Sequence, residues 1–265
     1  MKLVKILSLL AILHFASCST EENESENNIQ SYDLSYMDYL NRYDGSSGSV
    51  KLQYDSQNRI IKRIGGLTPL PASIGFEAYI FSDEVTEDIV YTNNEIKITR
   101  NIPNVNLFFE RKMIVDNKSR IIKKIIYKKA PEVNDSIFYT YNNLNQIEET
   151  LRLSGRPENS ETKIYQKAKY YYNQQQNLDS IVTVNFEEQQ VTGITTVEKF
   201  SDYDNAANPL KKLIIFDETY YRAISKNNYA KYEYVLYSKN VAIQKKTLSY
   251  QYKYDKSGNI MYDFE

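Results

Sequence analysis

The sequence predicts an all-β protein: consecutive antiparallel hairpins forming one large, curved sheet, drawn as an open half-barrel or a wrap. Three observations predict it. A short turn unit recurs along the chain. The segments between turns alternate apolar and polar residues, as in Tyr250, Tyr252 and Tyr254 against Gln251 and Lys253. And 25 Tyr and 10 Phe, with no Trp, form a composition suited to pleated, half-buried strands.

The chain begins with a different kind of segment. Lys2 and Lys5 precede a largely apolar run from Ile6 to Phe15, followed by Ala16 and Ser17. That order is a secretory signal, and its core is too short to span a bilayer as a helix. Phe15-Ala16-Ser17-Cys18 resembles a bacterial lipobox, so cleavage is expected between Ser17 and Cys18, with Cys18 then carrying the acyl chains. The sequence therefore divides into a lipoprotein signal at 1–17, an acidic tether at 18–31 and a single β domain at 32–265. The tether, rich in Ser, Glu and Asn, has too little apolar surface to offset the entropy of ordering and is expected to be disordered. A membrane is the expected partner, through Cys18, at about 0.8 kcal/mol per buried methylene. The start Ser19-Thr20-Glu21-Glu22-Asn23-Glu24 resembles the acidic export signal of Bacteroidetes surface lipoproteins, which favours the cell surface over the periplasmic leaflet of the outer membrane.

Next comes the repeat. Its clearest copy is Tyr252-Lys253-Tyr254-Asp255-Lys256-Ser257-Gly258-Asn259-Ile260. Others start at Tyr54-Asp55, Val115-Asp116, Tyr141-Asn142, Tyr172-Asn173 and, as a longer copy, Tyr203-Asp204. The physics is that of a hairpin. An Asp or Asn bonds its side chain to backbone two residues on and seeds a type I turn. A residue in the left-handed region closes the loop as a bulge, which suits Gly258 and is tolerable for Asn58 and Asn145. Tyr before the turn and Ile or Leu after it meet as a cross-strand pair. The turn positions Asp55, Asp116, Asn142, Asn173, Asp204 and Asp255 leave middle gaps near thirty residues, the spacing of a repeat array. Degenerate hairpins at 89–96 and 237–241 fill the longer gaps, for six to eight hairpins in all.

These Tyr-Asp…Gly-Asn-Ile units resemble YD repeats of the RHS type. With the lipobox, the Tyr-Asp…Asn-Pro copy and Ser225-Lys226-Asn227-Asn228, residues 50–265 look like the uncharacterised YD-repeat-like lipoproteins of the Bacteroidetes group. The resemblance implies an RHS-like wrap. The long uninterrupted arrays and toxin extension of true RHS shells are lacking.

Three segments depart from the repeat. Tyr32, Tyr36, Tyr39, Leu40 and Tyr43 fit either a short helix capped by Ser31 and stopped at Gly45, or a twisted first strand. Gly65-Gly66-Leu67-Thr68-Pro69-Leu70-Pro71 reads as a loop, and so do residues 154–160.

Composition also bounds the chemistry. The only His, His14, lies in the signal, and Cys18 is the only Cys. Ser-His-Asp and Cys-His catalysis, His-based zinc sites and disulfides are thereby excluded. Loss of Lys2 and Lys5 leaves 31 basic against 34 acidic residues, a formal charge of −3 that gives nucleic acid no electrostatic footprint. No cofactor or metal site is expected: Gly65-Gly66 reads as a turn, and a calcium set of Asp202, Asp204 and Asn205 competes with the turn role of Asp204. Carboxylate chemistry remains, with Asp83-Glu84 and Glu87-Asp88, Glu148-Glu149, Glu187-Glu188 and Asp217-Glu218 as candidate pairs. Such runs are usually solvated, and no catalytic residue is assigned. The tyrosine runs 170–172, 220–221 and 232/234 read as cross-strand ladders with hydroxyls in water, or as exposed rings that stack on sugars or anchor proteins. The expected function is a non-catalytic binding module for a protein or glycan. A periplasmic carrier or chaperone for lipid or another hydrophobe is the alternative, and a carboxylate-dependent glycosidase is a third.

Overall fold

The computed structural model describes residues 28–37, 48–69, 79–103, 109–127, 134–155 and 163–262. Ser17, Cys18, the signal and most of the tether lie outside the described residues, as do Tyr39, Leu40, Tyr43 and Gly45 and the expected loop from 156 to 160.

Fourteen strands form one antiparallel sheet in strict chain order. They are β1 (Ser31–Asp33), β2 (Ser49–Tyr54), β3 (Ile60–Pro69), β4 (Tyr79–Tyr91), β5 (Glu95–Asn101), β6 (Phe109–Val115), β7 (Ile121–Tyr127), β8 (Asn134–Tyr141), β9 (Ile147–Gly155), β10 (Lys163–Tyr172), β11 (Leu178–Glu187), β12 (Gln190–Tyr203), β13 (Tyr229–Ser238) and β14 (Val241–Ser249). A separate terminal hairpin pairs β15 (Lys253–Tyr254) with β16 (Ile260–Met261). The sheet is open, with β1 and β14 as its edges. It curves so that the segment after β14 returns to β1, where the Asp33 amide donates to the Tyr262 carbonyl at 2.6 Å. The architecture is all-β, an open curved sheet of consecutive hairpins.

Five turns, four in the sheet and one in the terminal hairpin, share one design. At Asp55, Asp116, Asn142, Asn173 and Asp255 the side-chain Oδ1 accepts from the amides two and four residues on, all at 2.8–3.0 Å. The residue three places on is left-handed each time: Asn58, Ser119, Asn145, Gln176 and Gly258, with φ from 58° to 82°. One side chain thus satisfies two amides that a tight turn strands, and a bulge absorbs the extra residue. The cross-strand pairs Tyr54–Ile60, Val115–Ile121, Tyr141–Ile147, Tyr172–Leu178 and Tyr254–Ile260 follow from that register.

A second ladder links neighbouring repeats. The hydroxyls of Tyr54, Tyr91 and Tyr141 donate to the carbonyls of Ile29, Ile60 and Ile121 at 2.5, 3.0 and 2.8 Å, and Tyr203 bonds Leu178 in the same way. Arg59 and Arg120 stack on Tyr91 and Tyr141 at 4.8 and 4.5 Å. These hydroxyls therefore bond protein carbonyls.

Four expectations need correction. Gly65 to Pro69 belong to β3, which pairs with β4 through Pro69–Tyr79. The strand tolerates them because Gly65 takes φ +96° at a bulge and Pro69 sits at the strand end. Ser154 and Gly155, read as the start of a loop, close β9, while of the two readings of the first segment the described residues give the strand, followed by a 3-10 turn at Leu34–Tyr36. Tyr220 and Tyr221 lie on a one-turn helix, α1 (Tyr220–Ala223), not on a strand. Asp204 is not a tight-turn residue. Its Oδ1 accepts from the Asn228 amide at 3.0 Å, and both its oxygens contact the Asn228 side chain. It therefore fastens the neck of a long excursion, residues 205–228, between β12 and β13.

That excursion folds onto the inner face of the sheet. Leu210, Leu213, Ile215 and Phe216 join Tyr32, Val50, Leu52, Ile60, Ile89, Ile98 and Met113 in one buried cluster, completed by Ile260 and Tyr262. A second cluster gathers Leu178, Ile181, Phe200, Tyr229 and Tyr232. A single open sheet cannot bury both faces by itself, so the excursion and the terminal hairpin cover its inner face. Arg222 ties them together. It is 1% exposed. Its Nε and Nη2 donate to the Tyr36 carbonyl at 3.2 and 3.0 Å, and Nη1 donates to Tyr229 O at 3.2 Å. The guanidinium stacks on Tyr229 and Tyr250 at 4.1 and 4.4 Å.

Candidate functional site

Period-2 alternation sorts each strand between an inner and an outer face. The outer face is charged. Lys97, Lys169 and Lys199 are exposed beside buried Ile98, Ala168 and Phe200. Ion pairs run across it, Lys97–Glu110 at 2.7 Å and Lys167–Glu149 at 2.9 Å.

The inner face also carries charge. Arg63, Glu87, Arg111 and Lys124 point inward from β3, β4, β6 and β7, where they meet Asp217 and Glu218 of the excursion. Arg63 pairs with Glu218 at 2.6 Å, Arg111 with Glu87 at 2.8 Å and Asp217 at 3.4 Å, and Lys124 bonds Asp217. Tyr32 donates to Glu218 at 3.0 Å. The Asp217 side chain is 62% exposed, and Lys124 and Arg111 beside it hold its carboxyl below the ordinary carboxylate range. Burial pushes Glu87 up, and Arg111, Arg63 and Arg100 around it bring it below the ordinary value. This network fastens the excursion to the sheet.

Beside it lies a cavity of about 460 Å³ lined by strands β7 to β12 and floored by Asp217, Tyr220 and Tyr221. The walls hold Tyr139, Tyr170, Thr150, Gln166, Thr183, Lys124, Arg152 and Glu198, with Ile126, Ile137 and Ala168 between them. The rings of Tyr139 and Tyr170 each lie 6.4 Å from Tyr220, tilted by 61° and 82°, and Tyr221 lies 5.6 Å from it at 56°. Burial pushes all four phenols above their ordinary value, so they stay neutral. Arg152 is paired to Asp135 from the same inner face. Glu198 is different. It is 6% exposed, and the Tyr221 and Tyr232 hydroxyls donate to its two oxygens at 3.0 and 2.7 Å. Burial raises its carboxyl, and the two phenol bonds oppose that only in part.

The carboxylate pairs singled out in the sequence are not brought together as pairs. Glu87 is buried and Asp88 exposed on opposite faces of β4, while Asp83 and Glu84 are exposed. Glu149 bonds Lys167 on the outer face, and Glu188 occupies the β11–β12 turn with φ +48°. Asp217 and Glu218 are committed to the cations of the sheet. Among the described residues, no three His, Cys, Asp or Glu side chains are grouped to hold a metal. Asp204 bonds Asn228 and Tyr254, and Asp202 is an exposed residue with φ +57°. The tyrosine runs divide: Tyr170 and Tyr172 face inward, and Tyr171 is 48% exposed outside. Glu198 drew no notice in the sequence. A lone Glu between Val197 and Lys199 looks like an outward strand position until strand register places it inside.

No family model matches the chain, and no curated protein sequence matches it. Solved structures do, two of them from Bacteroides. A porin-like protein from Bacteroides uniformis aligns with TM-score 0.52 and 13% identity over 81% of this chain and 80% of that one. A porin-like protein from Bacteroides vulgatus aligns with TM-score 0.52 and 14% identity over 87% and 88%. At that identity the likeness is one of fold: the chain is similar to these Bacteroides proteins in its large antiparallel sheet.

Proposed function

We propose that this chain is a lipid-anchored envelope protein, displayed at the outer-membrane surface through Cys18, that binds a small polar ligand of the saccharide class without transforming it. The observation that carries the reading is the inner cavity, with its tyrosine walls and its hydroxyl, amide and charged groups. Rings that stack and polar groups that hydrogen-bond are what a hydroxyl-rich ligand needs. An acyl chain needs the reverse, and Lys124, Arg152, Glu198 and Asp217 argue against the hydrophobe carrier.

The porin-like description of the two structural neighbours supports an envelope placement. The charged outer face supports anchoring by lipid over spanning. A lipid-facing Lys at the bilayer midplane costs about 2–4 kcal/mol, and an open sheet edge is not tolerated in hydrocarbon.

One observation favours a catalytic second reading. Glu198 and Asp217 border the same cavity with carboxyls pushed in opposite directions, as in a glycosidase acid and its partner. The binding reading is preferred because Lys124 and Arg111 hold Asp217 and two phenols occupy Glu198.

Calorimetric titration with mono- and disaccharides, and with palmitate as the counter-ligand, tests the reading. Saccharide binding without palmitate binding is expected, and the reverse overturns it. Release of nitrophenol from aryl glycosides, lost in Glu198→Gln, would establish the second reading instead.

A further inference from the structure

We propose that the ligand taken by the inner cavity carries a positively charged ammonium group, and that Glu198 and the tyrosines of the floor receive it. The inference rests on the polar-ligand reading above and names the ligand's charge.

The local pairing of the inner charges points there, with Arg100 a further cation beside Glu87. Lys124 is matched by Asp217 and Arg152 by Asp135. Arg63 and Arg111 are matched by Glu218, Glu87 and Asp217. Glu198 alone among the carboxylates lining the cavity contacts no cation of the described residues; its partners are the Tyr221 and Tyr232 hydroxyls. Tyr221 and Tyr232 each bond one of its oxygens, and an ammonium placed beside them would favour its charged form. A buried carboxylate without a cation is costly, and an ammonium on the ligand removes that cost.

The aromatic groups supply the rest of the receptor. Tyr139, Tyr170 and Tyr221 are tilted against Tyr220 by 61°, 82° and 56°, and all four rings line one cavity. Ring faces are negative, and several of them around one space bind an alkylammonium better than a neutral group of the same shape. The cavity volume, about 460 Å³, is that of a small-molecule site. Two sources share this chemistry: a choline-type headgroup and an amino sugar.

The test is calorimetric titration of the full chain with choline against its neutral isostere 3,3-dimethyl-1-butanol, and with glucosamine against glucose. One ammonium compound is expected to bind at least about tenfold more tightly than its neutral partner, and which one does so identifies the source. Glu198→Gln is expected to abolish the preference while melting no lower than the parent chain. Tyr220→Leu is expected to weaken ammonium binding, and Tyr220→Phe, which keeps the ring, to restore it. Equal binding within both pairs, choline with its isostere and glucosamine with glucose, would overturn the ammonium inference, and binding of both sugars alike would leave the saccharide reading intact. Failure of both ammonium compounds to bind at millimolar concentration, or a preference that survives in Glu198→Gln, would also overturn it.

Discussion

Replacing Arg222 by Ala should loosen the whole inner assembly. The residue is 1% exposed, so truncation opens a buried space. Its guanidinium serves the carbonyls of Tyr36 and Tyr229 and bonds the Tyr252 hydroxyl. Each carbonyl left unsatisfied costs about 1–3 kcal/mol. The lost stacking on Tyr229 and Tyr250 adds about 2 kcal/mol in a dry site. These contributions overlap, and about 4–5 kcal/mol is a reasonable total. At about 2–4 °C per kcal/mol for a chain of this size, the melting temperature should fall by about 10 °C or more. Arg222→Lys keeps the charge but loses the planar fork, and should recover less than half of the drop. Near-UV circular dichroism reports the tyrosines directly and is the assay. If Arg222→Ala melts within about 2 °C of the parent chain, or if Arg222→Lys melts with it, the guanidinium does not hold the excursion, the first strand and the terminal hairpin together.

Other consequences are open to measurement. Burial raises the Glu198 carboxyl, so its neutral form favours the fold; that contribution is present below the unfolded pKa and is lost as pH rises through the folded value. Glu198→Gln should therefore gain stability relative to the parent chain at pH 8 and lose that advantage by pH 4, and an advantage larger in acid would contradict the assignment. Asp217 has the opposite sign: its carboxyl is held low, so its ion pairs stabilise above the unfolded pKa and are lost as pH falls through the folded value. Asp217→Asn should lower the melting temperature at pH 7, with the gap to the parent closing in acid. Gly258→Val places a β-branched residue at φ +82° and should cost about 1–2 kcal/mol, read as earlier loss of hydrogen-exchange protection in 253–261; protection equal to the parent would count against the turn geometry. Intact-mass analysis of the native N-terminus should find an acylated Cys18, and Cys18→Ser should release the protein from membranes; a soluble, unmodified parent chain would remove the anchor.

The hairpins could be read from the sequence because the forces that make them are local. An Asp or Asn side chain satisfies amides two and four residues on, and Tyr and Ile then meet across the same turn. Asp55, Asp116, Asn142, Asn173 and Asp255 announce their hairpins without reference to anything distant. The break at Asp204 could not be read, since its partner Asn228 is 24 residues away. Nor could the fate of Gly65, because a glycine pair signals a loop or a bulge alike until a partner strand decides.

The candidate site was less legible for a related reason. Charge on alternate strand positions looks like a solvent face. Arg63, Glu87, Arg111, Lys124 and Glu198 all carry that signature, yet register turns them inward. The sequence by itself determined the repeat, the all-β class and the absence of imidazole and thiol chemistry from the β domain, because residue type and near-neighbour spacing suffice for each. Only the tertiary structure decided that residues 205–228 fold into the sheet, bring Asp217 and Glu218 to cations far away in the chain, and leave Glu198 as the carboxylate of the cavity without a cation beside it. Which face is inside depends on what the sheet folds against, and no local pattern encodes that.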